Sequence, residues 1–375
     1  MLSLSLAERL IAFPSVSRSS NVAVTNCVEE LLKERGFVTE RIEYDDAQGI
    51  RKACVIGKKG AGTGGVAYFG HTDVVPAESW FTPEHGPFEP RVKNDKLYGR
   101  GSCDMKGSVA CMIAAAGEIP ADQLKQPIYI TCTADEEIGY GGARQVAARS
   151  KLYREMVSGQ SHGIIGEPTC LEVVYAHKGT SGFKAISHGR AAHSSTNKGI
   201  NANLAMIPFL VEMKAIHDEV LTDPQWRHDE FDPPTISWNI GVNDHTVAVN
   251  VTPPQSVCTV YFRPMPGQDP QALVDRAAAA ARKNGLEFQA GPIGTALYMD
   301  PQSDYIREIL RLADKSTPRT VSFGTDGVMF GELKHVVVLG PGDIAQAHTH
   351  DEWIALSQLE AGTALYRRIV EHYCL

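Results

Sequence analysis

The sequence predicts an α/β fold: a mixed, mostly parallel sheet covered by helices, interrupted by an inserted α+β segment with the ferredoxin-like order βαββαβ. Two observations carry that expectation. Short apolar runs recur along the chain, each closed by glycine or polar residues and separated by helical stripes. Between residues 179 and 290 the rhythm changes, and six elements follow in the order of a split βαβ sandwich. A chain of 375 residues has room for two domains. The expected division is 1–178 with 291–375 as one, and 179–290 as the other.

MLSLSLAERLIAFPS has no basic residues before its short apolar run, and Glu8 and Arg9 interrupt that run. It predicts a first helix and not a signal peptide. Residues 21–35 place Val24, Cys27, Val28, Leu31 and Leu32 on one helical stripe, with Gly36 where a C-terminal cap belongs. Ala53–Ile56, Val66–Phe69, Ile128–Thr133, Gly163–Ile165 and Val336–Leu339 are continuous apolar runs, the mark of strands buried on both faces. Met105–Ile119 (stopped by Pro120), Ser303–Ala313 and Leu356–Tyr373 read as helices. Inside 179–290 the expected strands are Gly182–Ser187, Thr235–Ile240, Ser256–Phe262 and Leu286–Gln289, with helices near 201–217 and 270–282. Leu221–Pro234, with three prolines and mixed charge, reads as a long exposed loop.

Hydrophobic residues make up 43% of the chain and charged ones 21%, an ordinary globular composition. Lys and Arg number 36 against 44 Asp and Glu, a net charge of −8 with no basic run, so no nucleic-acid partner is expected. No stretch reaches the ~18–20 apolar residues that span a bilayer, so no membrane partner is expected either. The eight cysteines are scattered, with no CxxC pair. In a chain this long that predicts free thiols in a reducing compartment, the cytoplasm.

The predicted strands end in clusters of metal-binding residue types. Val66–Phe69 runs into Gly70-His71-Thr72-Asp73, and Ile128–Thr133 into Ala134-Asp135-Glu136-Glu137. Gly163–Ile165 runs into Gly166-Glu167-Pro168, and Val336–Leu339 into a glycine loop and then Ala347-His348-Thr349-His350-Asp351-Glu352. A fifth cluster, GRGSCDMKG at 99–107, precedes a long apolar helix. Ligands of open α/β sheets bind beyond the carboxyl ends of the strands, so these clusters can converge. Mixed His and carboxylate donors suit zinc or another first-row divalent ion better than magnesium or calcium. His71 and Asp73 lie two apart on an extended segment and share a face, so the carboxylate can support the imidazole. Glu136 and Glu137 are adjacent, and in extended backbone they diverge, leaving one to bind metal and the other to move a proton. Taken singly, each cluster reads as an ordinary turn. Their joint occurrence at strand ends points to a site.

GHTDVVP (70–76), GRGSCDMKG (99–107), TADEEIG (133–139), GEPT (166–169) and AHTHDEW (347–353) together resemble the dinuclear zinc aminoacylase and carboxypeptidase family, in order and over almost the whole chain. The resemblance implies a zinc exopeptidase-like catalytic domain holding two zinc ions, with cobalt or manganese as substitutes, and an inserted lid and dimerisation domain. It implies that His71 and Glu167 bind one metal, Glu137 and His348 the other, and that Asp104 bridges them beside a cis Asp104–Met105 peptide. Glu136 would be the general base and Asp73 would orient His71. His193, in GRAAHSS, would stabilise the oxyanion, reaching the site of a partner subunit in dimeric relatives. Asn250, Arg263 and Thr325 would meet the substrate, the first two at its carboxylate. His350, two positions from His348, has no implied role, and Cys103 reads as packing.

The implied reaction removes an acyl group from a small N-acyl amino acid in a homodimer. The wording of HTDVVP, TADEEIG and AHTHDEW is closest to members that deacetylate acetylornithine in arginine biosynthesis. Succinyl-diaminopimelate desuccinylation, dipeptide cleavage and glutamate-releasing carboxypeptidase activity are the neighbouring readings. A binding module without catalysis is the reading of another class. Gly60–Gly65 fits GxGxxG, but a strand follows where a dinucleotide site needs a helix, so the pattern is rejected. An HExxH motif is missing from the sequence.

Overall fold

The computed structural model describes residues 1–78, 80–246 and 248–375. The chain forms two compact units: Met1–Ala176 with Met299–Arg319 and Thr325–Leu375, and His177–Tyr298 with Thr320–Gly324.

The first unit is built on a mixed sheet. Its strands are β1 (Val38–Asp45), β2 (Arg51–Lys59), β3 (Val66–His71), β4 (Ile128–Thr133), β5 (His162–Ile165), β6 (Val174–His177) and β7 (His335–Val338), in the spatial order β1-β2-β4-β3-β5-β7-β6. β4, β3, β5 and β7 run parallel at the centre, with His71 opposite Thr133 and Val338 opposite Ile165. β3 and β4 are buried along their whole length, which is why they read as unbroken apolar runs and not as alternating ones. Adjacent residues of β3 face opposite layers. The Tyr68 ring packs edge-on against Tyr366 of the helix Leu356–Cys374, while Phe69 stacks on Phe330 at 4.2 Å. The helices Leu2–Ile11 and Lys106–Gly117 add to the core of this unit, and Lys106–Gly117 is buried at almost every position. Because the four central strands are parallel, their carboxyl ends share one edge.

Gly65 stands just before β3 with φ of 64°, and a Cβ there would sit 2.0 Å from the Pro127 carbonyl oxygen. The glycines of 60–65 thus serve a tight approach between chain segments, and a strand follows them.

The second unit is a four-stranded antiparallel sheet in the order Ser237–Asn243, Gln255–Arg263, Ser181–His188, Glu287–Ala290, with helices Ala202–Thr222 and Pro270–Lys283. Its sequence order is βαββαβ. The unit reaches beyond the 179–290 read from the sequence. Lys178 Nζ donates to the Pro233 and Thr235 carbonyls at 2.7 and 2.8 Å, and the Thr320 and Ser322 hydroxyls donate to the Glu230 and Asp232 carbonyls. The stretch 221–234, read as an exposed loop, is mostly exposed but anchored by these contacts. The helix runs on to Thr222, a 3-10 turn spans Pro224–Trp226, and Trp226 and Phe231 are buried. Among the described residues no helix is long and apolar enough to cross a membrane.

Candidate metal centre

Residues just beyond the ends of β3, β4, β5 and β7 converge in the first unit. His71 closes β3 and is buried. Its Nδ1 lies 2.9 Å from the Asp73 carbonyl oxygen, which leaves Nε2 to face Asp104 Oδ1 at 3.0 Å and Glu167 Oε1 at 3.6 Å. The other oxygen of Asp104, Oδ2, lies 3.3 Å from His348 Nε2, and that nitrogen is 3.1 Å from Glu137 Oε2. Asp104 therefore offers one oxygen to each of two imidazoles. Donor atoms of His71, Asp104 and Glu137 fall within 4.8 Å of one another, as do those of His71, Glu136 and Glu167.

Local structure explains each placement. Asp104 stands just before the helix Lys106–Gly117, with a cis peptide to Met105. Glu352, itself buried, accepts the amides of Gly101, Cys103 and Asp104 at 2.9–3.0 Å and the Arg100 guanidinium at 2.8 Å. Arg100 also donates to the Thr349 carbonyl at 2.9 Å, tying the loop that carries His348 to the loop that carries Asp104. His350 uses its carbonyl to accept the Phe81 amide at 2.9 Å.

Glu136 and Glu137 diverge, but not through extended backbone as the sequence reading has it. Asp135 takes φ of 58° and the two glutamates lie in a turn, one grouped with His71 and Glu167, the other with His71 and Asp104. Asp73 also acts differently. It meets His71 through its backbone carbonyl, while its carboxylate stays 3.7 Å from Nδ1 and accepts the amides of Glu136 and Glu137 at 3.2 and 3.4 Å.

Burial pushes Glu136 and Glu167 well above the usual carboxylate range, and the neighbouring carboxylates add to the effect. Glu137 is raised for the same reasons. Hydrogen bonds to Asp104 and Glu137 push His348 up to about 10. Burial alone would hold His71 down, but its hydrogen bond to Asp104 and the charges around it drive it well above the ordinary imidazole value. Four carboxylates and two imidazoles thus crowd together, with His71, Asp104 and Glu167 buried and His348 half-exposed. A mixed nitrogen and oxygen donor set of this density fits divalent cations, whose charge would offset the repulsion.

The model of peptidase family M20/M25/M40 matches residues 67–372. The chain belongs to this family. Two relatives from Myxococcus xanthus and Proteus mirabilis, both named acetylornithine deacetylase, are 32% and 33% identical over 97% and 99% of the chain and 96% of their own lengths. An M20 family metallo-carboxypeptidase from Sulfolobus solfataricus superposes with a TM-score of 0.80 at 15% identity, covering 99% of both chains. The M20/M25/M40 family is the aminoacylase and carboxypeptidase family that the five motifs resemble, and the chain is a metal-dependent amide hydrolase.

Of the remaining predicted residues, Thr325 lies in the first unit, buried, where its hydroxyl accepts the Gly327 amide at 3.0 Å and caps a 3-10 turn. Its neighbour Asp326, which no motif reading singled out, accepts the Thr133 hydroxyl and is pushed up to about 7 by burial. His193 and Asn250 adjoin in the second unit: Ser194 N donates to the Asn250 carbonyl at 2.9 Å, and the exposed His193 ring meets Ser195 Oγ at 2.7 Å. Arg263 closes the strand Gln255–Arg263 of the same unit, with its guanidinium 5.4 Å from the Tyr261 ring.

Proposed function

We propose that this M20 hydrolase removes the acetyl group from N-acetylornithine, releasing ornithine and acetate, with two zinc ions held by His71, Glu167, Asp104, Glu137 and His348. The observation that carries the dinuclear reading is the split of Asp104, one oxygen toward His71 and the other toward His348. The relatives at 32% and 33% identity support the substrate. Bound cations supply polarisation of the scissile carbonyl and acidification of water.

The chain's own residues do the rest. Glu136, uncommitted to the Asp104 pair, accepts the proton of the attacking water and returns it to the leaving amine nitrogen. Its upward shift suits that work, since a base must also act as an acid later. Asp73 holds its backbone in place. His193 donates to the developing oxyanion, and Arg263 with Asn250 and Thr325 grips the substrate. The first unit serves as the catalytic domain and the second as a lid and dimerisation domain. Leu204, Ile207 and Val211, on one exposed side of the helix Ala202–Thr222, support a homodimer formed through that second unit. Eight free cysteines support a reducing, cytoplasmic setting.

The test is amine release by zinc-loaded protein from acetylornithine, acetylcitrulline, succinyl-diaminopimelate and a set of dipeptides, with a chelator control. Chelator-sensitive turnover of acetylornithine well above the others is the expected result. A preference for dipeptides would move the substrate while keeping the chemistry. Zinc binding with no turnover of any substrate would favour a binding module.

A further inference from the structure

The turn that presents Glu136 and Glu137 is anchored by residues outside every motif. Tyr44 and Lys52 stand directly opposite each other on the antiparallel β1–β2 pair, so their side chains leave the same face. Both end on one carboxylate. Asp135 Oδ1 accepts Lys52 Nζ at 2.6 Å and Oδ2 accepts the Tyr44 hydroxyl at 2.7 Å. Lys52 is fully buried, and its ammonium also donates to the Ser17 and Ser19 carbonyls, with Asp46 Oδ2 at 3.7 Å. The Ser17 hydroxyl donates in turn to Asp73 Oδ2 at 2.7 Å, and Asp73 receives the amides of Glu136 and Glu137. Three consecutive residues are therefore held: 135 by its side chain, 136 and 137 by their amides.

A buried ammonium–carboxylate pair is often no better for stability than apolar packing of the same volume, so its presence beneath this turn asks for a reason beyond packing. The turn supplies one. Asp135 sits at φ of 58°, in the left-handed region that residues with a Cβ adopt uncommonly, and its side-chain bonds hold it there. If Asp135 relaxes, the two glutamates that follow lose their separate directions. We propose that Tyr44 and Lys52 are positioning residues that act through Asp135 to aim Glu136 at the reacting water and Glu137 at its metal. The inference rests on the roles given to Glu136 and Glu137 above.

Tyr44→Phe keeps the ring and removes one donor. At saturating zinc it should lower kcat ~5–20-fold with KM within about twofold, because only the aim of the base changes. Calorimetric titration of chelator-stripped protein with zinc chloride should show one of two binding events weakened ~10-fold, as expected when a ligand's support is lost. Lys52→Met alone leaves the Asp135 carboxylate without its cation and is prone to misfold. Lys52→Met with Asp135→Asn removes both charges and should fold, melting near the parent while losing ~50-fold or more in kcat. In a Glu136→Gln background at saturating zinc, Tyr44→Phe should change the residual rate less than about twofold, whereas general loosening would multiply through both backgrounds. Parent-like kcat and zinc affinity in Tyr44→Phe, or equal losses in both backgrounds, would overturn the proposal. If the parent chain turns over none of the amides, the functional reading fails by itself, and the zinc titration still decides whether Tyr44 supports Glu137.

Discussion

Glu352 receives three backbone amides and a guanidinium on one buried carboxylate, and so fixes where Asp104 stands. Truncating it leaves Arg100 buried without its partner. Glu352→Ala should cost about 3–5 kcal/mol, read by urea denaturation, and should weaken zinc binding with it. Glu136→Gln tests a different property. If Glu136 is a base and not a ligand, turnover should fall by ~10²–10⁴ while two zinc ions still bind, as measured by metal analysis after dialysis. Loss of one ion would make it a ligand, as its grouping with His71 and Glu167 also permits. His71, Asp73, Glu136, Glu137, Glu167 and His348 were legible because each lies in a short motif at a predicted strand end, and Asp104 because its motif opens a predicted helix. Tyr44, Lys52 and Asp326 were not. Their partners lie 91, 83 and 193 positions away, and nothing in local spacing marks such pairs.

Among the elements, the buried parallel strands were easiest to read, since burial on both faces leaves an unbroken apolar signature. β1 escaped because it lies at the sheet's edge with only Ile42 buried, and VTERIEYD looks like a polar loop. The residue just before β3 offers a test of backbone geometry. Gly65→Ala would meet the Pro127 carbonyl at 2.0 Å with φ still at 64°, and should cost about 2–4 kcal/mol in a thermal or urea melt. At the first residue of β5, His162 stacks on Tyr373 at 3.9 Å and lies beside His335, and burial holds it down to about 4. Its ordinary value when unfolded is about 6.5. Between those two values the unfolded chain takes up a proton that the folded one refuses. The His162 contribution to stability should therefore fall by about 1–2 kcal/mol as pH drops from 6.5 to 4, after discounting for partial exposure, and stay constant below. His162→Phe should make that stretch of the urea-midpoint profile against pH less steep, with His335 and His177 still contributing.

Taken whole, the molecule keeps every candidate metal ligand in the first unit. Removing metal with a chelator should lower the melting temperature of that unit and leave the second unit's transition unmoved. At zinc concentrations about 100 times the dissociation constant the difference corresponds to about 2.7 kcal/mol per site. Differential scanning calorimetry with and without chelator reads both transitions. The two units also differ in how the chain supplies them. The second is nearly continuous, running from His177 to Tyr298, whereas the first is assembled from both sides of it. β7 fills the place between β5 and β6, and Glu352 closes the Asp104 loop from 248 positions downstream. On the ribosome, then, the second unit can complete its sheet while the first still waits for its central strand. A nascent chain stalled before residue 335 carries the three glutamates and Asp104 with no finished sheet to hold them. Premature termination before residue 335 would therefore yield a protein with a folded insert and an unassembled host.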